Sequence, residues 1–281
     1  MRYFPLTSAE FAHSFGIKAL RPEELVIEAT DRYDCELSQI RLQLESSPEL
    51  YFAAEPDSVE AQREAADYVL DVADFLSPTD NYRTREPIEI DEISRSPLLS
   101  TGRHVQEDLV VCEGTGQFRI LAGKVCFPSG WSIAEKLRQG LMTVHAPVPD
   151  FAEALGSASL RLMHELKPGR PVWRMNWGVR PSGRLDQTPD TLDELRGRAE
   201  SMTADRAGQE CYFRVERQTL SRLPKTGTIL FTIHTHQTPL EKLTCDQKEL
   251  LAGNIHTCPE HVLAYKGILA MREAVLSSIQ R

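Results

Sequence analysis

The chain lacks every paired-cysteine motif. Its six cysteines (Cys35, Cys112, Cys126, Cys211, Cys245 and Cys258) are scattered, with no C-x-x-C and no C-x-x-C-H. That excludes a zinc ribbon and a thioether-linked cofactor. It suits a reducing, cytoplasmic setting without disulfides, in which cysteines serve as small hydrophobes. A basic excess is also missing: 32 Lys and Arg stand against 41 Asp and Glu, a net charge of -9. Nothing offsets phosphates, so a general nucleic-acid binder is excluded. No apolar run approaches membrane-spanning length, and the start M-R-Y-F-P-L-T-S-A-E carries no signal segment. P-loop, nucleophile-elbow and H-E-x-x-H patterns are absent, as are internal repeats and heptad runs. What remains is an ordinary globular composition, 41% hydrophobic and 26% charged over 281 residues. We read it as a single domain spanning 1–281.

The elements follow from period and punctuation. Ser58 starts a helix to about Leu76, with Ala61, Ala65, Ala66, Val69 and Ala73 at helical spacing and Pro78 beyond the end. Asn81–Arg103 reads as a polar loop with a short strand at Ile88–Ile90. Asp108–Glu113 and Phe118–Phe127 flank Gly114-Thr115-Gly116, a hairpin signal; the same G-T-G lacks the third glycine and following helix of a dinucleotide loop. Ser129 or Ser132 caps a helix over Trp131–Arg138, closed by Gly140. Asp150 caps another from Phe151 to about Leu166. Val172–Val179 is a strand with Trp173, Met175, Trp177 and Val179 on one face. A short helix at Thr191–Glu200, a hairpin at Cys211–His236 and two closing helices near Gln247–Ile255 and Glu260–Ile279 complete the chain. Strands cluster in the middle and helices flank them, which predicts an α+β fold with a mainly antiparallel sheet.

The strand from Cys211 breaks the alternation rule. Phe213, Val215, Arg217 and Thr219 share one face, so Arg217 sits on the core side. A cation buried without a partner costs several kcal/mol, so Arg217 requires an anion. That anion is either an internal carboxylate or a bound ligand. Arg214, Arg217, Arg222 and Lys225 gather positive charge near this hairpin; they either clamp an anion or pair on the surface with Glu210 and Glu216. His145 lies in V-H-A-P-V-P, where two prolines fix the backbone after it. A rigid loop holding one imidazole suits an axial metal ligand or a structural histidine bound to a loop carbonyl. His234 and His236 share one side of their strand. They have the spacing to share a metal but no Asp or Glu two residues away, so a solvated polar face is the expected reading.

F-P-S-G-W (127–131), H-A-P-V-P (145–149), R-x-N-W (174–177), R-V-E-R-Q-T-L-x-R-L-P (214–224) and F-T-I (231–233) stand in the order seen in one known family. The chain resembles, from about Leu20 to Leu243, the α-subunit of haem-dependent oxidative N-demethylase and its relatives. The resemblance implies a PAS-like core, roughly 85–240, enclosing a non-covalent haem b. It implies a monooxygenase that takes a small secondary methylamine and dioxygen and releases formaldehyde. Electrons would come from a separate flavin and iron–sulfur reductase subunit, since this chain has neither a flavin fingerprint nor a four-cysteine cluster. Carried over by motif, His145 is the iron ligand, with His164 and His104 next in line. Arg217, with Glu216 beside it, becomes the catalytic candidate. Arg222, Lys136 and Trp177 become haem contacts. The segment T-I-H-T-H departs from the family pattern at His234. The alternative is a PAS-like haem or small-ligand sensor without turnover; a haem-free scaffold is a third reading.

Overall fold

The structure, a computed structural model, describes residues 1–73 and 96–280. Among these residues seven strands form one sheet: β1 (Lys18–Ala19), β2 (Phe52–Ala54), β3 (Asp108–Cys112), β4 (Ile120–Lys124), β5 (Val172–Arg180), β6 (Tyr212–Arg222) and β7 (Ile229–Pro239). Their order is β1-β5-β6-β7-β3-β4-β2, and every neighbouring pair is antiparallel. The α+β class and all five expected strands are present. The two additional strands lie at the sheet edges. The call of a strand at Ile88–Ile90 lies outside the described residues.

Register assigns the faces. In β6 and β7, Glu216 pairs with Thr235 and Arg217 with His234. In β5, Asn176 faces Glu216 and Met175 faces Arg217. Side chains alternate, so Arg174, Asn176, Arg214, Glu216 and Gln218 share one side, the Glu216 face. Trp173, Met175, Trp177, Arg217, His234 and His236 share the other, the Arg217 face.

Helices cover both faces, which is why strand periodicity misjudges exposure. On the Arg217 face, helices Tyr33–Ser46 and Val59–Val72 bury Leu37, Ile40, Leu44, Ala65 and Val69 against Leu109, Val111 and Ala122. The carboxy-terminal helices bury Leu251, Ile255, Val275 and Leu276 against Val179, Phe213 and Val215. On the Glu216 face, the short helix Ile133–Lys136 seats Ile133 on Val110 and Ile120. The helix Ser157–Glu165 sets Met163 beside Ile229, Val172 and Leu220.

Several local expectations change. Ser58 does not cap its helix; its hydroxyl donates to the Glu55 carbonyl at 2.6 Å. Pro97–Gly102 is helical inside the expected loop. Ser132, not Ser129, caps Ile133–Lys136 through a reciprocal box with Glu135. Gly140 does not close that helix but begins the turn Leu141–Val144, which leads into His145. Asp150 adopts φ 58°, and its carboxylate faces His261 and His13 instead of capping. The final helix breaks at Gly267, φ 71°, into Glu260–Tyr265 and Arg272–Ile279. No helix among the described residues is long and apolar enough to cross a membrane.

Candidate functional site

On the Glu216 face, one carboxylate lies among several cations. Ser129 Oγ donates to Glu216 Oε1 at 2.7 Å and Gln218 Nε2 to Oε2 at 3.0 Å. Glu216 acts electrostatically on Arg174, Arg180, Arg214 and Lys266. All four bases are depressed, first by burial. Arg214 is lowered to about 10 and Lys266 to about 8. Asp108 and Asp186 also act on Arg214, which leaves Glu216 as the carboxylate acting on Arg174, Arg180 and Lys266, so this face has charge complementary to an anionic ligand. Arg174 Nε is buried with no partner among the described residues. A partly open pocket of about 20 Å³ is lined by Ser129, Asn176, Trp177, Gly178, Arg180, Arg214 and Glu216. That is room for a water, while Arg174 is half-buried and Asn176 exposed beside it.

His145 stands at the edge of this cluster. It ends the turn Leu141–Val144, and its Nδ1 lies 2.8 Å from the Leu141 carbonyl, while the ring stacks on Phe151 at 4.4 Å. A carbonyl can only accept, so Nδ1 carries the proton and Nε2 keeps its lone pair. Burial holds the imidazole below its ordinary range, and Arg174 and Lys136 push the same way. A neutral ring with a fixed tautomer has the form of an axial ligand.

The Arg217 face is built differently. Arg217 is 2% exposed, with Nε 3.9 Å from Glu28 Oε2 and its terminal nitrogens on the Leu25 and Val26 carbonyls. Its guanidinium lies over the rings of Tyr3 and Trp173 at 5.6 and 5.4 Å. Glu28 also accepts from Tyr3 and Arg2. The enclosed carboxylate gives Arg217 the surroundings of a structural ion pair. His234 and His236 are not on a solvated face: His234 is 1% exposed, 2.9 Å from Glu107 Oε1, and its ring stacks on His236 at 4.2 Å. Burial lowers His234, but Glu107, with Glu36 and Glu28 behind it, outweighs burial and leaves it raised.

The structure sets Lys136 and Arg174 within electrostatic reach of His145, and Glu216 within reach of Arg174, but puts Arg217 and Trp177 on the opposite face of the sheet. Trp177 stacks on Phe213 and lies under Lys266 Nζ at 4.5 Å. Arg222 directs four N–H bonds to the carbonyls of Leu166, Gly114, Gly227 and Met163, so it clamps backbone. His164 is an exposed helical residue packed edge-on against Phe118. Sequence reasoning missed Arg174, Arg180 and Lys266. Alternation in β5 already put Arg174 on the side of Asn176, the one signal available for it. Residues 16–276 match the family described as haem-dependent oxidative N-demethylase, alpha subunit-like, and the chain belongs to that family.

Proposed function

We propose that this chain is the haem-binding subunit of an oxidative N-demethylase, acting on a small secondary methylamine and releasing formaldehyde. One observation carries the reading. His145 offers an unprotonated Nε2 at the edge of a face where Arg174, Arg180 and Lys266 share the one carboxylate that acts on all of them, Glu216. A non-covalent haem b needs one neutral imidazole and cations for its propionates. His145 would hold the iron, with Lys136 and Arg174, the two cations that act on it, at the propionates. The fit is one of donors and charge, since the pocket is too small for a porphyrin.

The haem would supply the iron at which dioxygen is activated. The rest falls to the protein's own groups. The Leu141 carbonyl fixes the His145 tautomer and ring direction. Glu216, held by Ser129 and Gln218, would accept a hydrogen bond from the N–H of the neutral amine, since a carboxylate only accepts and the surrounding cations disfavour a protonated amine. Arg217, Trp177 and Arg222 hold the fold in this reading. Electrons would come from a separate flavin and iron–sulfur subunit.

Reconstitution of the purified protein with haem, followed by absorption spectroscopy, tests this. A Soret band is expected in the wild type and in His164→Ala, with loss or a strong shift in His145→Ala. An unchanged His145→Ala spectrum overturns the ligand assignment. Formaldehyde release from dimethylamine with a surrogate reductase tests turnover; a haem-loaded protein that releases none supports the sensor reading instead.

A further inference from the structure

The Arg217 face holds a second donor set that the haem reading does not use. Glu28, His234 and His236 each present a ligand atom, and these atoms lie within 4.8 Å of one another. Glu28 and His234 are 2% and 1% exposed, and His236 is half-buried. Three side-chain atoms of these residues, Glu28 Oε2, His234 Nδ1 and His236 Nε2, are buried with no hydrogen-bond partner among the described residues. Leaving a buried carboxylate oxygen and a buried imidazole nitrogen unpaired is costly, so their convergence requires an explanation.

Around His234 stand three buried carboxylates, Glu28, Glu36 and Glu107, at 2%, 3% and 0% exposure. Glu28 pairs with Arg217 and the exposed Arg2, Glu36 pairs with the exposed Arg32, and buried Lys124 donates to the Glu107 carbonyl. The Glu107 carboxylate faces His234, so the charge here calls for a cation at the histidine pair, a proton or a metal ion. Glu107 Oε1 beside His234 Nδ1 is the outer carboxylate that metal-bound imidazoles commonly keep, leaving Nε2 to ligate. Ligand atoms in a tetrahedral zinc shell stand about 3.3 Å apart, given bonds of about 2.0–2.1 Å. Binding would draw the set inward from its present limit of 4.8 Å. Two imidazole nitrogens and one carboxylate form a borderline donor set, which prefers first-row divalent ions over Mg²⁺ or Ca²⁺.

We propose that Glu28, His234 and His236 bind one divalent transition-metal ion, with Zn²⁺ as the fitting ion, on the sheet face opposite the haem candidate. The ion ties the amino-terminal segment carrying Glu28 to β7 and leaves a fourth position for water. The competing occupant is a proton on His234.

The test uses the full chain after chelator treatment. Zn²⁺ is titrated by calorimetry and Co²⁺ by visible absorption, in wild type, Glu28→Gln, His236→Gln and His145→Ala. The expected result is one equivalent bound, tetrahedral Co²⁺ bands and a raised melting temperature in wild type and His145→Ala. Affinity should fall at least tenfold in Glu28→Gln and His236→Gln, with circular dichroism showing that each is folded. Absence of a wild-type equivalent overturns the proposal and leaves the proton as occupant. Equal binding in His236→Gln, which keeps Glu28 and the Arg217 pair, overturns it also, by placing the ion elsewhere.

Discussion

Two arginines three residues apart in β6 separate the two faces of the sheet. Arg214 and Arg217 are each 2% exposed. Arg214 gives its terminal N–H groups to the carbonyls of Leu185, Phe127 and Pro128, on the face where cations outnumber Glu216. Arg217 meets carbonyls, two aromatic rings and Glu28, on the face where Glu28, Glu36 and Glu107 gather about His234. Burial is the same, but Arg214 is held by carbonyls alone whereas Arg217 has a carboxylate beside it. The difference teaches that exposure alone does not mark a site; the charge standing around the buried group does, and it names the class of ligand each side accepts.

The largest effect expected from breaking this contrast is at Arg217. Arg217→Met leaves Glu28 with only the exposed Arg2 as a cation partner, frees the Leu25 and Val26 carbonyls, and should destabilise the chelator-treated protein by about 3 kcal/mol, measured by urea unfolding. Adding Glu28→Gln should recover part of that loss, since the stranded charge is removed. Simple additivity of the two changes would refute the pairing.

Asp108 sharpens the comparison through pH. Burial raises its carboxyl from 3.8 to about 6, against Lys124 and the backbone N–H groups of Cys126 and Phe127. The native state then binds this proton more tightly than the unfolded chain. Its stabilising share is full below about pH 4 and is lost as pH rises through about 6, by about 3 kcal/mol. The stability difference between wild type and Asp108→Asn should therefore change across pH 4–6 and be flat above pH 7. A difference independent of pH removes the assignment.

On the Glu216 face, Arg174→Met should leave stability within about 1 kcal/mol, because the half-buried side chain makes no hydrogen bond to the described residues. Haem affinity should fall roughly tenfold if Arg174 meets a propionate. The smallest effect is at the caps. Ser132→Ala, beneath Lys136, and Thr244→Ala, which caps the helix Cys245–Thr257, should each cost about 1 kcal/mol in thermal unfolding.

Val172–Arg180, Tyr212–Arg222 and Ile229–Pro239 were legible from period-two patterning and turn signals, and Asp108–Cys112 and Ile120–Lys124 from the Gly114-Thr115-Gly116 turn between them. The edge strands were not: Lys18–Ala19 and Phe52–Ala54 are two and three residues long, too short to carry a period. Arg217's burial followed from Phe213 and Val215 beside it. Arg214's burial did not, because alternation assumes one wet face and helices here cover both. His145 was legible from its prolines, whereas its Leu141 partner depends on a helical turn that the loop reading ruled out. The Glu28 approach to His234 and His236 was beyond a local search, since the carboxylate comes from the opposite end of the chain.

The amino-terminal segment also sets the order of assembly. Phe11 donates its backbone N–H to Thr257 across 246 residues, and Asn254 reaches back to the Ser8 carbonyl across the same span. Neither contact exists while the ribosome still holds the last helices. The ionic layer closes over a comparable span, Arg217 reaching the Val26 and Leu25 carbonyls across 191 and 192 residues. Contacts this distant in sequence close slowly, and the intermediate that precedes them leaves the sheet face open to chaperones or to another chain.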